Sequence, residues 1–208
     1  MQITAQMVKD LREITGAGPL DCKKALELND GDLDKAIDYL REKGLARAAK
    51  KLGAGRVMNE GVIQNYTHHN SRLGVMVEVN CETDFVASTE AFRSFAHQLA
   101  LHIANMAPQY VRREDVPEAI IEAERDLQRR RAIDEGKPEA VAEKVAEGRM
   151  NKFFEEIVLM EQPFIMDDSK TIAQLLAETV ASVGESIEIR RFARFAIGES
   201  VDSANGNA

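Results

Sequence analysis

The sequence predicts an α+β protein. An N-terminal three-helix bundle precedes a core in which a three-stranded antiparallel sheet packs with helices and a helical hairpin. Three observations carry this expectation. Three short helical patterns, broken by Gly, Pro or Asn-Asp-Gly, fill residues 1–43. Val75, Val77 and Val79 alternate with Met76, Glu78 and Asn80, the pattern of a half-buried strand. Two long apolar stripes with a 3.6-residue period follow later in the chain.

Each element has its own signal. Thr4 can cap a first helix with Val8, Leu11 and Ile14 on one face. Gly16-Ala17-Gly18 ends it, and Pro19 suits the first turn of a second helix offering Leu20, Ala25, Leu26 and Leu28. Asp32 can cap a third, with Leu33, Ala36, Ile37 and Leu40 inward and a stop near Gly44. Residues 44–56 read as a basic linker, helical at first and flexible at Gly53-Ala54-Gly55. Its cations suit either a solvated connector or a partner contact.

The core is expected over residues 57–198. A strand from Val62 to His68 pairs with Gly74 to Asn80 across His69-Asn70-Ser71-Arg72, and a third runs from Ile187 to Ile197. In that third strand Ile187, Ile189, Ala193, Phe195 and Ile197 share one parity, broken at Arg191 and Phe192. The helical stripes are Phe92, Phe95, Ala96, Leu99, Ile103 and Met106, then Ile172, Leu175, Leu176, Val180 and Val183. Between them, residues 117–148 predict a polar helical hairpin turning at Gly136-Lys137-Pro138, with Val141 and Val145 inward. Charges at helical spacing, Asp126 with Arg130 and Arg131 with Glu135, support its first arm. A further helix is expected from Asn151 to Leu159. Residues 199–208 form a polar tail expected to fray.

Composition narrows the function. The 208 residues are 44% hydrophobic and 30% charged, as in globular domains. A net charge of −8 and a pI near 5.2 disfavour a dedicated nucleic-acid binder. Lys9, Asp10, Arg12 and Glu13 interrupt any signal-peptide-like apolar run, and no stretch approaches a membrane span, so a cytoplasmic protein is expected. Gly16-Ala17-Gly18 and Gly53-Ala54-Gly55 match neither phosphate-binding loop pattern. The four histidines, His68, His69, His97 and His102, lack ligand spacing, so no metal site and no cofactor is expected. Cys81 sits beside Glu82 and Asp84, whose charges raise a thiol pKa and oppose a nucleophilic role. Cys81 is read as a packing residue, and the chain as no bond-making enzyme.

The segment Asn80 to Ala87 follows the clearest strand and precedes the clearest helix. Two readings fit its Asp84-Phe85 pair. Phe85 packs on the sheet while Asp84 caps a turn, or the pair is presented to a partner, the aromatic anchoring and the acid supplying charge.

Several blocks resemble one family. They are Val8 to Gly18, Asp21 to Leu26, Ala36 to Gly44, Glu60 to Ile63, Cys81-Glu82-Thr83-Asp84-Phe85-Val86-Ala87, Glu147-Gly148-Arg149 and Leu159 to Phe164. In this order they resemble the short form of elongation factor Ts in bacterial translation. The resemblance implies a ubiquitin-associated-like three-helix domain at 1–43. It also implies a nucleotide-exchange function: binding elongation factor Tu carrying GDP and promoting GDP release. By that resemblance Phe85 wedges into an apolar pocket of the GTPase and Asp84 displaces groups around its Mg2+, while Thr83 and Val86 fix the corner. Leu11, Arg12 and the turn of Ile14, Thr15, Gly16 and Ala17 would clamp the nucleotide-binding domain. Short members imply a homodimer, with the strand from Ile187 to Ile197 as a candidate contact. Direct nucleic-acid or membrane partners are not expected.

Overall fold

The computed structural model describes residues 3–15, 17–52 and 58–199. It is a mixed helix-and-sheet protein, as the sequence predicts. Its helices are α1 (Ala5–Thr15), α2 (Pro19–Leu28), α3 (Leu33–Leu52), α4 (Asp84–Ala87), α5 (Glu90–Met106), α6 (Glu118–Asp134), α7 (Glu139–Ile157) and α8 (Ile172–Val183). Strands β1 (Glu60–Thr67), β2 (Leu73–Cys81) and β5 (Ile187–Ala196) form one antiparallel sheet in the order β1-β2-β5. Strands β3 (Pro163–Phe164) and β4 (Asp167–Thr171) form a separate small antiparallel pair that the sequence did not suggest. The expectations at Gly16, at Gly53-Ala54-Gly55 with Arg56, and over residues 200–208 lie outside the described residues.

The chain separates into two compact units. The first comprises Met1–Val62, Val79–Phe95 and Gln174–Glu188. Within it, α1, α2 and α3 enclose Leu11, Cys22, Ala25, Leu26, Ala36 and Leu40. The start of each helix follows its local chemistry. Thr4 Oγ1 accepts the Met7 N–H at 3.3 Å, Pro19 opens α2, and Asp32 Oδ1 accepts the Lys35 N–H at 3.1 Å. That bond is the main reason the Asp32 carboxyl titrates below its usual range.

Three expectations about this bundle need correction. Ile14, in the last turn of α1 beyond the buried Leu11, is exposed rather than inward. Leu20 and Leu28 are exposed because the ten-residue α2 buries only its middle, Cys22, Ala25 and Leu26. Helix α3 does not stop at Gly44 but continues to Leu52. Its later residues are mostly Ala, Lys and Arg, all strong helix formers.

The second unit comprises Ile63–Glu78, Ala96–Ala173 and Ile189–Ala208. Its most regular feature is the α6–α7 hairpin. Gly136 makes the turn at φ +82°, a conformation that favours glycine. The seam is built from Ala132, Ala142 and Ala146, so small side chains let the helices approach. Val141 is exposed and Val145 only half-buried, contrary to expectation, because the buried positions of α7 step by four from Ala142 through Ala146 and Met150 to Phe154.

Helix α7 also runs unbroken to Ile157, replacing the two helices expected at 138–148 and 151–159. The expected pairing of Arg131 with Glu135 gives way to a cross-hairpin pair. Arg149 donates to both Glu135 oxygens at 3.0 and 2.8 Å and holds that carboxyl below its ordinary range. Asp126 pairs with Arg129 at 3.6 Å instead of with the Arg130 side chain, which donates to the Asp126 carbonyl.

The hairpin's base is fixed by Tyr110, Val116, Met150, Phe154, Ile157 and Val158. Arg113 forks onto Glu161 at 2.7 and 2.5 Å and stacks over the Phe154 ring. Deeper in this unit, fully buried His102 bonds Gln162 Oε1 at 2.9 Å, and its Nδ1 accepts the Ile165 N–H at 3.3 Å.

The strands bury their apolar parity only in part. Val75, Val77, Val79, Ile187 and Ile189 are buried as expected. Phe195 and Ile197 are exposed, because alternation is lost at the two exposed arginines Arg190 and Arg191. Both arginines pair with Glu78 of β2, at 3.6 and 2.7 Å. Gly61 has φ +151° and lies so close to β2 that a Cβ there would stand 2.2 Å from the Val79 carbonyl oxygen.

Candidate functional site

The segment from Asn80 to Thr89 turns β2 into α5 through the single turn of α4. Thr83 is the N-cap of α4, extended at φ −135° and ψ 153°, and its hydroxyl accepts the Val86 N–H at 3.3 Å. Val86 and Ala87 point inward and are 4% and 7% exposed. Helical geometry then turns the preceding residues outward. Asp84 is exposed, and Phe85 leaves 77% of its surface in solvent. Phe85 therefore does not pack on the sheet, and Thr83 rather than Asp84 supplies the cap.

The corner is fastened from both sides. Cys81 is buried and donates its S–H to the Thr83 carbonyl at 3.1 Å. Burial pushes the Cys81 thiol pKa up, and Glu185 and Glu60 add to the shift. The cause expected from sequence, the neighbouring Glu82 and Asp84, is corrected accordingly: the thiol responds first to its burial. Thr89 then opens α5, accepting the Phe92 N–H at 3.4 Å while donating to the Val86 carbonyl at 2.7 Å.

Glu185 and Ser186 belong to this corner, and sequence reading missed both. The Glu185 carboxylate accepts the Thr83 N–H at 3.1 Å and the Thr83 hydroxyl at 2.7 Å. In return Ser186 donates its N–H to Glu82 at 2.8 Å. In the sequence, Gly184-Glu185-Ser186 signals only the end of a helix, and nothing local ties it to a segment about a hundred residues earlier.

The N-terminal residues divide by exposure. Arg12 and Ile14 are exposed, Ile14 to 58%. Thr15 and Ala17 are half-buried, and Gly16 lies outside the described residues. The Thr15 hydroxyl donates to the Leu11 carbonyl at 2.7 Å and accepts the Ala17 N–H at 3.3 Å, which shapes the chain leaving α1. Leu11 is fully buried, so it supports this surface from beneath and offers none of its own. Leu20, 83% exposed at the start of α2, adds an apolar side chain to this surface. Among the described residues, no group of three His, Cys, Asp or Glu side chains could hold a metal ion, and no helix is long and apolar enough to cross a membrane.

Comparison with known proteins places the chain among translation elongation factors. The family model described as "Elongation factor TS" matches residues 3–199. The chain is 57% identical to the elongation factor Ts of Carboxydothermus hydrogenoformans, over 96% of this chain and 91% of that one. It is 54% identical to the elongation factor Ts of Geobacter sulfurreducens, over 97% and 93% of the two chains. It is also 54% identical to that of a Thermoanaerobacter species, over 98% of each. The chain belongs to the elongation factor Ts family.

Proposed function

We propose that this protein is the guanine-nucleotide exchange factor of elongation factor Tu, acting in the cytoplasm on the GDP-bound GTPase. The observation that carries the reading is Phe85, a large aromatic 77% exposed beside an exposed acid at a one-turn corner. Folding gains nothing from exposing such a ring, and its burial in a partner's pocket is strongly favourable.

The mechanism follows from the charge that holds GDP. Phosphate-loop amides and Mg2+ of the GTPase offset the negative phosphates. Phe85 enters an apolar pocket beside the Mg2+ site while Asp84 repels or displaces groups around the ion. Thr83 and the buried Val86 set the direction of both side chains. Arg12, Ile14, Thr15, Gly16, Ala17 and the exposed Leu20, supported by Leu11, clamp the nucleotide-binding domain. To speed exchange, the protein must bind the empty GTPase more tightly than the loaded one, since equal affinity shifts nothing. The same coupling obliges an incoming nucleotide to expel the factor. No bond is made or broken, and the protein needs no cofactor of its own. Two copies act together as a homodimer, a reading supported by exposed apolar residues on the sheet of the second unit.

The test is release of a fluorescent GDP analogue from elongation factor Tu. The native protein is expected to accelerate release at amounts far below the GTPase. Phe85→Ala is expected to lower that acceleration by at least about tenfold, the scale of losing one interface anchor. Its melting temperature should hardly move, because the ring is not part of the core; truncating a buried Phe would cost about 3–5 kcal/mol. Normal acceleration by a folded Phe85→Ala variant would remove the wedge from the mechanism. No acceleration by the native protein would reject the exchange function.

A further inference from the structure

The geometry points to Glu185 as the positioning residue that holds the Asp84–Phe85 corner in its presenting conformation. The inference rests on the reading of that corner as the contact with the GTPase. A one-turn helix has no stability of its own, since the first turn fixes several dihedrals for a single hydrogen bond. Something outside α4 must therefore hold it.

Its C-terminal half is held by burial of Val86 and Ala87. Its N-terminal end, where Asp84 and Phe85 stand, has no such anchor, because both side chains are in solvent. That end depends on Thr83. For the Thr83 hydroxyl to accept the Val86 N–H, its own proton must go elsewhere, and it goes to Glu185 Oε1 at 2.7 Å. The Thr83 backbone N–H goes to the other oxygen, Oε2, at 3.1 Å. One carboxylate thus takes both donors of the N-cap residue and fixes its backbone and its rotamer together. Hydrogen bonds to a charged acceptor are the stronger kind.

Glu185 is itself held in register. Gly184, at φ +79°, ends α8 with its N–H on the Val180 carbonyl. The next residues cross to the corner in opposite senses, Glu185 accepting from Thr83 and Ser186 donating to Glu82 at 2.8 Å. Ser186 is buried, whereas Glu185 is only half-buried. A half-exposed carboxylate contributes little to overall stability. Its effect falls on the angle at which Phe85 leaves the surface, and small errors of placement at a reacting interface are costly.

The test compares Glu185→Ala, Phe85→Ala and the double variant in stimulated GDP release from elongation factor Tu. Glu185→Ala is expected to slow release by roughly tenfold while melting near the native temperature. The double variant should be no slower than Phe85→Ala alone, because both changes remove the same action. Without the GTPase present, amide hydrogen exchange at Thr83 should speed up in Glu185→Ala. If Glu185→Ala fails to fold, Thr83 carries the test. Thr83→Ser keeps the hydroxyl and should lose less exchange activity than Thr83→Val. Normal release by folded Glu185→Ala, with Phe85→Ala impaired, overturns the positioning role and leaves the corner's function standing. Additive losses in the double variant overturn it too, since Glu185 would then act elsewhere. Normal release by Phe85→Ala overturns the reading of the corner itself.

Discussion

His102 shows how a single buried side chain can report on solution pH. Its Nδ1 accepts the Ile165 N–H, which leaves the ring proton on Nε2, donated to Gln162 Oε1. The Gln162 amide group then donates to the carbonyls of Glu156 at 2.9 Å and Met106 at 3.5 Å. Every polar atom of the ring is satisfied while the ring is neutral. A second proton would face the Ile165 N–H and place a charge in the core. Burial accordingly pulls the His102 pKa below its usual 6.5, outweighing the opposing effect of the Gln162 hydrogen bond. The unfolded chain then takes up the proton more readily than the folded one. The stabilising effect is fully present above about pH 6.5 and is lost as pH falls through that value toward the lower folded pKa. Denaturant melts between pH 8 and 5 should show stability falling on the acid side, with a shallower fall in His102→Gln. An equal slope in both proteins would exclude His102 as the source.

At the scale of elements, glycine divides what the sequence could reveal from what it could not. Gly136 and Gly184 follow helical patterns in the sequence, and each has a positive φ at a helix end. Gly44 and Gly148 look the same in the sequence, yet α3 and α7 run straight through them. What separates the two pairs is backbone conformation, positive φ at Gly136 and Gly184 alone, which a local pattern does not contain. Gly44 alone of the four has a close neighbour, since a Cβ there would lie 3.1 Å from the Ala181 Cβ of α8. Arg41 of α3 also pairs with Glu178 of α8 at 3.1 Å. Gly44 thus serves close approach between helices.

Substitution there sets two effects against each other. Gly44→Ala gains about 1 kcal/mol of helix propensity but presses on Ala181, so it should fall within about 1 kcal/mol of neutral. Gly44→Val adds bulk that neither helix can absorb and should lose about 1–3 kcal/mol in urea melts. A neutral Val variant would mean the helices separate easily here. The alternating strand β2 and the helical stripes were legible because burial alone dictates them. The β3–β4 pair was not, since its few residues carry no period. The corner's residues were legible as a motif, but Glu185 was not, because its partnership spans a distance that only folding closes.

The whole molecule leaves apolar side chains exposed on its three-stranded sheet. Ile63 on β1, Met76 on β2 and Phe195 on β5 are 63%, 52% and 59% exposed, and Ile197 just beyond β5 is 64% exposed. All four belong to the second unit. The same unit has a cleft between the β1–β2 turn and the end of β5, lined by Leu73, Phe195 and Ile197. Scattered single apolar residues on a surface need no explanation, but several on one three-stranded sheet suit the proposed homodimer contact. Strand β5 also lies last in the order of that sheet, and edge strands are in general suited to pairing with another chain. A second copy of the chain offers the same side chains, as a two-fold interface requires. The net charge of −8 works against self-association, so the proposed contact would rest on apolar burial more than on charge. A stable dimer needs about 1,000 Å² or more of buried surface, and burying a carboxylate in its centre would be severely unfavourable. On the proposed homodimer, the native chain should sediment as a dimer and Met76→Glu with Phe195→Glu as a monomer at the same concentration, with its circular dichroism unchanged. If two copies are needed to engage the GTPase, this folded monomer should also release GDP more slowly. Dimers persisting in the double variant would move the interface away from this sheet, and full exchange activity in a verified monomer would show that one copy suffices.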